Sequence, residues 1–194
     1  MAKTAYTTQK IFFAFDVVCT LTVFGGNHLK ALESAKARIV EIHEKASEAF
    51  TAPAIGYAAQ EARQILLQAG VAQAVVRLGD TVVNIGSSRR IGIQHPFRNN
   101  EENFAYVELG EKAMFTLRTN RSADDPRKIA SVTLIGSNAI QLGALCAKVA
   151  SMTIDNAVAL LNNSEIEAII VTATQRVVTT RGLHEQGSKA AKAA

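Results

Sequence analysis

A chain of 194 residues, 48% hydrophobic and 20% charged with no Trp and three Pro, has the composition of a globular protein with a sizeable core. Collagen-like, low-complexity and disordered chains are excluded. A net charge of +4, from 21 basic and 17 acidic residues, is too mild for a nucleic-acid binder, which needs a concentrated basic patch or a recognisable motif.

The N-terminal segment MAKTAYTTQKIFFAFDVVCTLTVFGG has a basic start and an apolar run. Asp16 interrupts that run, which is too short to span a bilayer and lacks a signal-peptide cleavage site. Phe13, Phe15, Val17, Cys19, Leu21 and Val23 alternate with Ala14, Asp16, Thr20 and Thr22. This period of two predicts one long half-buried strand and a cytoplasmic protein.

Gly25-Gly26-Asn27 ends that strand. From Leu29 to about Phe50, Leu29, Leu32, Ala35, Ile39, Ile42, Ala46 and Ala49 recur at helical spacing, with Lys and Glu opposite and His43 beside the polar face as a surface histidine. The motif TAPAIGY breaks the helix at Pro53, and a second helix follows from about Tyr57 to Ala69, ended by Gly70.

A β-rich middle comes next. VAQAVVRL and TVVNIG flank Gly79-Asp80, a pair suited to a tight hairpin. RIGIQHP, NFAYVEL and KAMFTLRT supply three further strands, the last two joined at Gly110-Glu111. RTNRSADDPRK, Arg118 to Lys128, is the densest basic stretch, and its two Asp favour a solvated loop over an anion site. IASVTLIG is a strand feeding a helix from about Asn138 to Ser151, with Ser137 or Asn138 as its cap. A helix over Ile154 to Leu161 and two closing strands, IEAIIVT and RVVTT, complete the domain. The expectation is a single α+β domain over residues 1–183, with mixed or antiparallel sheets and packed helices, and a flexible basic tail over 184–194.

No dinucleotide fingerprint, Walker loop, nucleophile elbow or zinc helix occurs, and the four histidines never fall at ligand spacing. Cys19 and Cys146 stand far apart without a paired-cysteine motif. They read as free buried thiols of a reducing compartment.

Taken in order, several stretches resemble the ApbE family of FAD:protein FMN transferases, in shortened form. FDVVCTLTVFG with ALESAKARIVEIHEKAS is similar to the family's first strand and helix. AIGYAAQEARQILLQAGVAQAVVRLGD is similar to its Lys-Gly-Tyr-Ala helix and the strand ending in Gly-Gly-Asp. RIGIQHP resembles the Arg-Ile-Gly-Ile-Gln-Asp-Pro strand. DDPRKIASVTLIGSNAIQLGALCAKV resembles the Asp-Pro loop, the strand after it and the metal-binding helix, and EIEAIIVTATQRVVTTRGL the closing strands. The resemblance covers most of residues 12–183. It implies Mg²⁺-dependent cleavage of FAD and transfer of FMN to a Thr or Ser of an acceptor flavoprotein. Magnesium would there be held by near-octahedral oxygen ligands and would neutralise pyrophosphate charge.

The departures concentrate at that chemistry. Gly143 and Ala147 stand where the resemblance places a metal-binding Asp and a Thr, and Ile55 stands where it places a Lys. The Gly-Gly-Asp turn is reduced to Gly79-Asp80-Thr81, the His and Tyr before the Asp-Pro loop are missing, and the long segment between the first two helices is absent.

The resemblance, with these losses, implies a non-catalytic protein that keeps the scaffold for binding flavin or a partner, with FAD or FMN as cofactor, no Mg²⁺, and no catalytic or metal-binding residue. Flavin-binding candidates are Gly56, Tyr57, Gly79, Asp80, Thr116 and Asp125. One alternative is an active FMN transferase with a metal site rebuilt from Asp80, Asp125 and Asp155. Another is an accessory subunit of a flavoenzyme assembly. The expected partner is a flavoprotein or flavoenzyme subunit, or a second copy in a homo-oligomer, with no nucleic acid and no membrane.

Overall fold

The computed structural model describes residues 6–47, 51–97, 103–119 and 128–180. Strands β1 (Thr7–Ala14) and β2 (Val17–Phe24) form an antiparallel hairpin where a single strand was expected. The chain reverses at Phe15-Asp16, both at positive φ (54° and 57°). Tight hairpins demand that conformation but usually fill it with Gly or Asn. Here Phe15 is held in place by burial, by its N–H donating to His43 Nδ1 at 3.1 Å, and by edge-on packing against the His43 ring. His43 is therefore a half-buried clamp on the turn, not a surface histidine. The reversal also swaps faces, so Phe13 is 75% exposed while Cys19, Leu21 and Val23 line the core.

Helix α1 (Leu29–Lys45) buries Leu32, Ala35, Ile39 and Ile42, the expected stripe. It stops five residues short of the expected end, because Ala46 is already extended (φ −76°, ψ 137°). Helix α2 (Thr51–Gln68) starts before Pro53, not after it. A proline is tolerated in the first turn because the N–H groups there have no intrahelical acceptor. Gly70, at φ 74°, ends the helix as expected, its N–H bonded to Leu67 O at 3.0 Å.

Strands β3 (Ala74–Leu78) and β4 (Thr81–Ile85) meet at Gly79-Asp80, with Gly79 at φ 58°. Strands β5 (Arg89–Gln94) and β6 (Asn103–Leu109) pair with each other, whereas β7 (Ala113–Arg118) pairs with β4 and with β8 (Ile129–Gly136). Gly110-Glu111 thus carries the chain between two sheets. Asn84 fixes this crossing: it is fully buried, and its Nδ2 lies 2.9 Å from the carbonyls of Ser87, Leu109 and Gly110. Helices α3 (Ala139–Ala150) and α4 (Ile154–Asn162) and strands β9 (Glu167–Thr172) and β10 (Val177–Thr179) complete the order.

The main sheet has eight strands in the order β1-β2-β3-β4-β7-β8-β9-β10, all neighbours antiparallel. Its inner face packs on the helices through Leu21, Val76, Val83, Phe115, Leu134 and Ile170. The outer face of its central strands is covered by the β5–β6 hairpin, with Ile91, Ile93, Val107 and Leu109 against Val82, Met114, Ile135 and Ile169. The outcome is the expected α+β class.

Both cysteines are free and buried. Burial pushes the Cys19 thiol up to about 11 and that of Cys146 higher still, so both stay protonated and inert at neutral pH. No described helix is long and apolar enough to cross a membrane. The expected tail, 184–194, lies outside the described residues.

Candidate functional site

Two places matter: the seam between α2 and α3, where the resemblance puts the metal, and a groove on the outer face of the main sheet. At the seam, Asn138 caps α3 as expected. Its Oδ1 accepts from Ile140 N at 2.9 Å and Gln141 N at 3.3 Å. These N–H groups, which a helix start would otherwise offer to an anion, are taken by the chain itself.

One turn further, Gly143 is buried against α2. A Cβ there would sit 2.7 Å from Ala52 O and 3.1 Å from Phe115 Cε2. The position of the expected carboxylate therefore has neither a side chain nor room for one. Ala147, one turn on, is exposed. Ile55 packs partly buried against the core where a lysine was implied. Gly56 locks the same seam: a Cβ on it would overlap the carbonyl oxygen of Ala139 and lie 3.4 Å from Ile140 Cα. Its missing side chain permits the close approach of the two helices.

Among the described residues, the side chains at the seam do not fit magnesium. No three His, Cys, Asp or Glu among the described residues converge to hold a metal. Asp80 and Asp155 open into separate depressions, Asp155 beside Arg176 and Val178. Asp125 lies outside the described residues. On the far side of the α3 start, a polar depression of about 440 Å³ is lined by Lys112, Ser137, Gln141 and Glu165, and Lys112 is paired to Glu167 at 2.9 Å.

The groove lies beyond the cover of the β5–β6 hairpin, with a volume of about 560 Å³. Val17, Val18 and Thr20 of β2 form one wall, Arg77, Gly79 and Asp80 the centre, and Gln94 and Arg118 the other wall. Cross-strand register explains the assembly. Thr20 is opposite Arg77, Arg77 opposite Val82, and Val82 opposite Met114. Continuing the β4–β7 register sets Asp80 opposite Thr116. Arg118, two residues along the same face, reaches back to Asp80 at 2.7 Å and also donates to Gln94 Oε1 at 2.6 Å. Thr116 shares a hydrogen bond with Thr133 at 2.9 Å.

Of the six candidates, then, Gly79 and Asp80 line this groove, while Thr116 sits on β7 outside its lining. Gly56 does not line it. Neither does Tyr57, an exposed ring on the α1–α2 surface whose hydroxyl accepts from Arg38 Nη2 at 3.0 Å. Arg77, Gln94 and Arg118 complete the groove and were missed from the sequence. A signal for Arg77 existed: a lone cation inside an apolar strand, one residue from the Gly-Asp turn's flank.

A model of the ApbE family matches residues 20–170. A sequence comparison with curated proteins finds no match. Among solved structures, the ApbE protein of Thermotoga maritima superposes with a TM-score of 0.77 at 15% identity, covering 92% of this chain and 98% of its own. The flavin transferase ApbE of Vibrio cholerae does so with 0.77 at 10%, covering 93% and 99%. The apo form of the flavinyl transferase ApbE of Pseudomonas stutzeri gives 0.74 at 12%, covering 93% and 97%.

Proposed function

Since the chain belongs to the ApbE family, its closed seam has a functional meaning, and we propose that it is a non-catalytic member that keeps the scaffold to bind FAD or FMN. The observation that carries this reading is the packing of Gly143 against Ala52 O and Phe115. A hard divalent cation needs several oxygen ligands at short range, and neither Gly143 nor Ala147 supplies a side-chain oxygen. The groove supports the binding half of the proposal: its volume suits a small organic ligand, and Gly79 and Asp80 would border a flavin seated there, with Thr116 further along β7. Bound flavin would supply a redox-active ring. The residues of this chain would bind and orient it.

The test is incubation with FAD, Mg²⁺ and an acceptor flavoprotein domain, with flavin absorbance read on both proteins. The expected result is flavin retained by this chain and none attached to the acceptor. Covalent FMN on the acceptor would overturn the non-catalytic reading, and absence of any bound flavin would overturn the binding one.

A second reading, an accessory subunit that docks on a protein partner, is favoured by the β1 edge. This edge strand has no neighbour on its free side among the described residues, and it exposes Ile11 (64%) and Phe13 (75%). Long apolar edges of this kind are templates for strand addition.

A further inference from the structure

The groove holds two arginines in unlike states. Arg118 is neutralised by Asp80 and fixed by Gln94. Arg77 has no carboxylate at salt-bridge distance among the described residues, and the nearby Asp80 charge, already committed to Arg118, only partly offsets its loss of water. It emerges from the middle of β3 between Thr20 and Val82, half-buried, and burial pulls its guanidinium below its ordinary value. Structural arginines of this kind ordinarily find an acid, because a desolvated cation without one is unfavourable. Here the side chain lines the open groove.

We propose that Arg77 anchors the phosphate of a phosphate-bearing ligand in this groove. A guanidinium offers a planar fork of donors matched to phosphate oxygens, and the phosphate would supply the missing counter-charge. The neighbouring surface suits the rest of such a molecule. Val17 and Val18 give an apolar wall, Thr20 a hydroxyl, and the Arg118–Asp80 pair a polar rim. The Gly79 turn is tied down beside them, its N–H bonded to Val18 O at 3.0 Å, and a Cβ at Gly79 would press on the Val17 side chain at 3.0 Å. Preformed geometry of this kind lowers the entropic penalty of binding. The proposal deepens the flavin reading, on which it rests only for the organic part of the ligand.

Calorimetry of the full chain with inorganic pyrophosphate, riboflavin, FMN and FAD tests it, on the wild type and on Arg77→Gln and Arg77→Lys. Saturable pyrophosphate binding that competes with FAD is expected. Arg77→Gln should weaken pyrophosphate, FMN and FAD by about 10- to 100-fold, the worth of a charge-assisted hydrogen bond, and leave riboflavin unchanged. Arg77→Lys should recover part of the loss, and serves if the Gln variant fails to fold. Pyrophosphate that does not bind, or flavin nucleotide binding indifferent to Arg77, overturns the inference while the flavin reading stands. Arg77-dependent pyrophosphate binding with no flavin binding upholds the inference and overturns the flavin reading.

Discussion

Gly143→Asp should destabilise the protein by ~3–5 kcal/mol and should not create a magnesium site. The number combines overpacking, at about 1–3 kcal/mol, with burial of a carboxylate that lacks a partner. A Cβ at this position already presses on Ala52 O at 2.7 Å and Phe115 Cε2 at 3.1 Å, and the carboxylate beyond it would face a carbonyl oxygen, a repulsive neighbour. Against a typical stability of about 5–15 kcal/mol this is a large share. Urea unfolding with and without Mg²⁺ measures it, and the account expects the same midpoint in both. A variant as stable as the wild type, or one rescued by Mg²⁺, would mean that the seam opens easily and that the lost carboxylate alone separates this chain from a metal-binding helix.

Gly56→Ala tests the same seam from the other helix. In an ordinary helix interior this exchange stabilises by about 1 kcal/mol, because alanine loses less backbone freedom on folding. At Gly56 the added methyl would overlap Ala139 O and approach Ile140 Cα at 3.4 Å, both backbone atoms that cannot rotate aside. The sign should therefore reverse, to a net loss of ~2 kcal/mol, the overpacking term outweighing the propensity gain. Thermal denaturation followed by circular dichroism decides it. A raised melting temperature would show that α2 and α3 can part without penalty, and the packed-seam explanation would fail.

Most of the fold was legible because hydrophobic period follows geometry. The Leu32–Ala35–Ile39–Ile42 stripe marks α1 on sight, and Gly79-Asp80 marks its hairpin. What escaped has definite causes. The Phe15-Asp16 turn contains no Gly or Asn, and alternation continues through it, so β1 and β2 read as one strand. Pro53 looks like a break because sequence does not show whether a proline falls in a first turn or mid-helix. The pairing of β6 with β5 rather than β7 depends on contacts such as those of Asn84, which local pattern does not encode. The site divides similarly. The lack of a side-chain oxygen at Gly143 and Ala147 is plain in the sequence, while the closeness of Ala52 to Gly143 is not. The groove joins residues from Val17 to Arg118, a span over which no spacing rule operates.

The most direct test of the closed seam is a titration of the wild-type protein with Mg²⁺ in the presence of saturating FAD, followed by melting temperature and by release of AMP. The account predicts no metal-dependent shift and no cleavage of FAD. A saturable Mg²⁺ stabilisation accompanied by AMP release would contradict it.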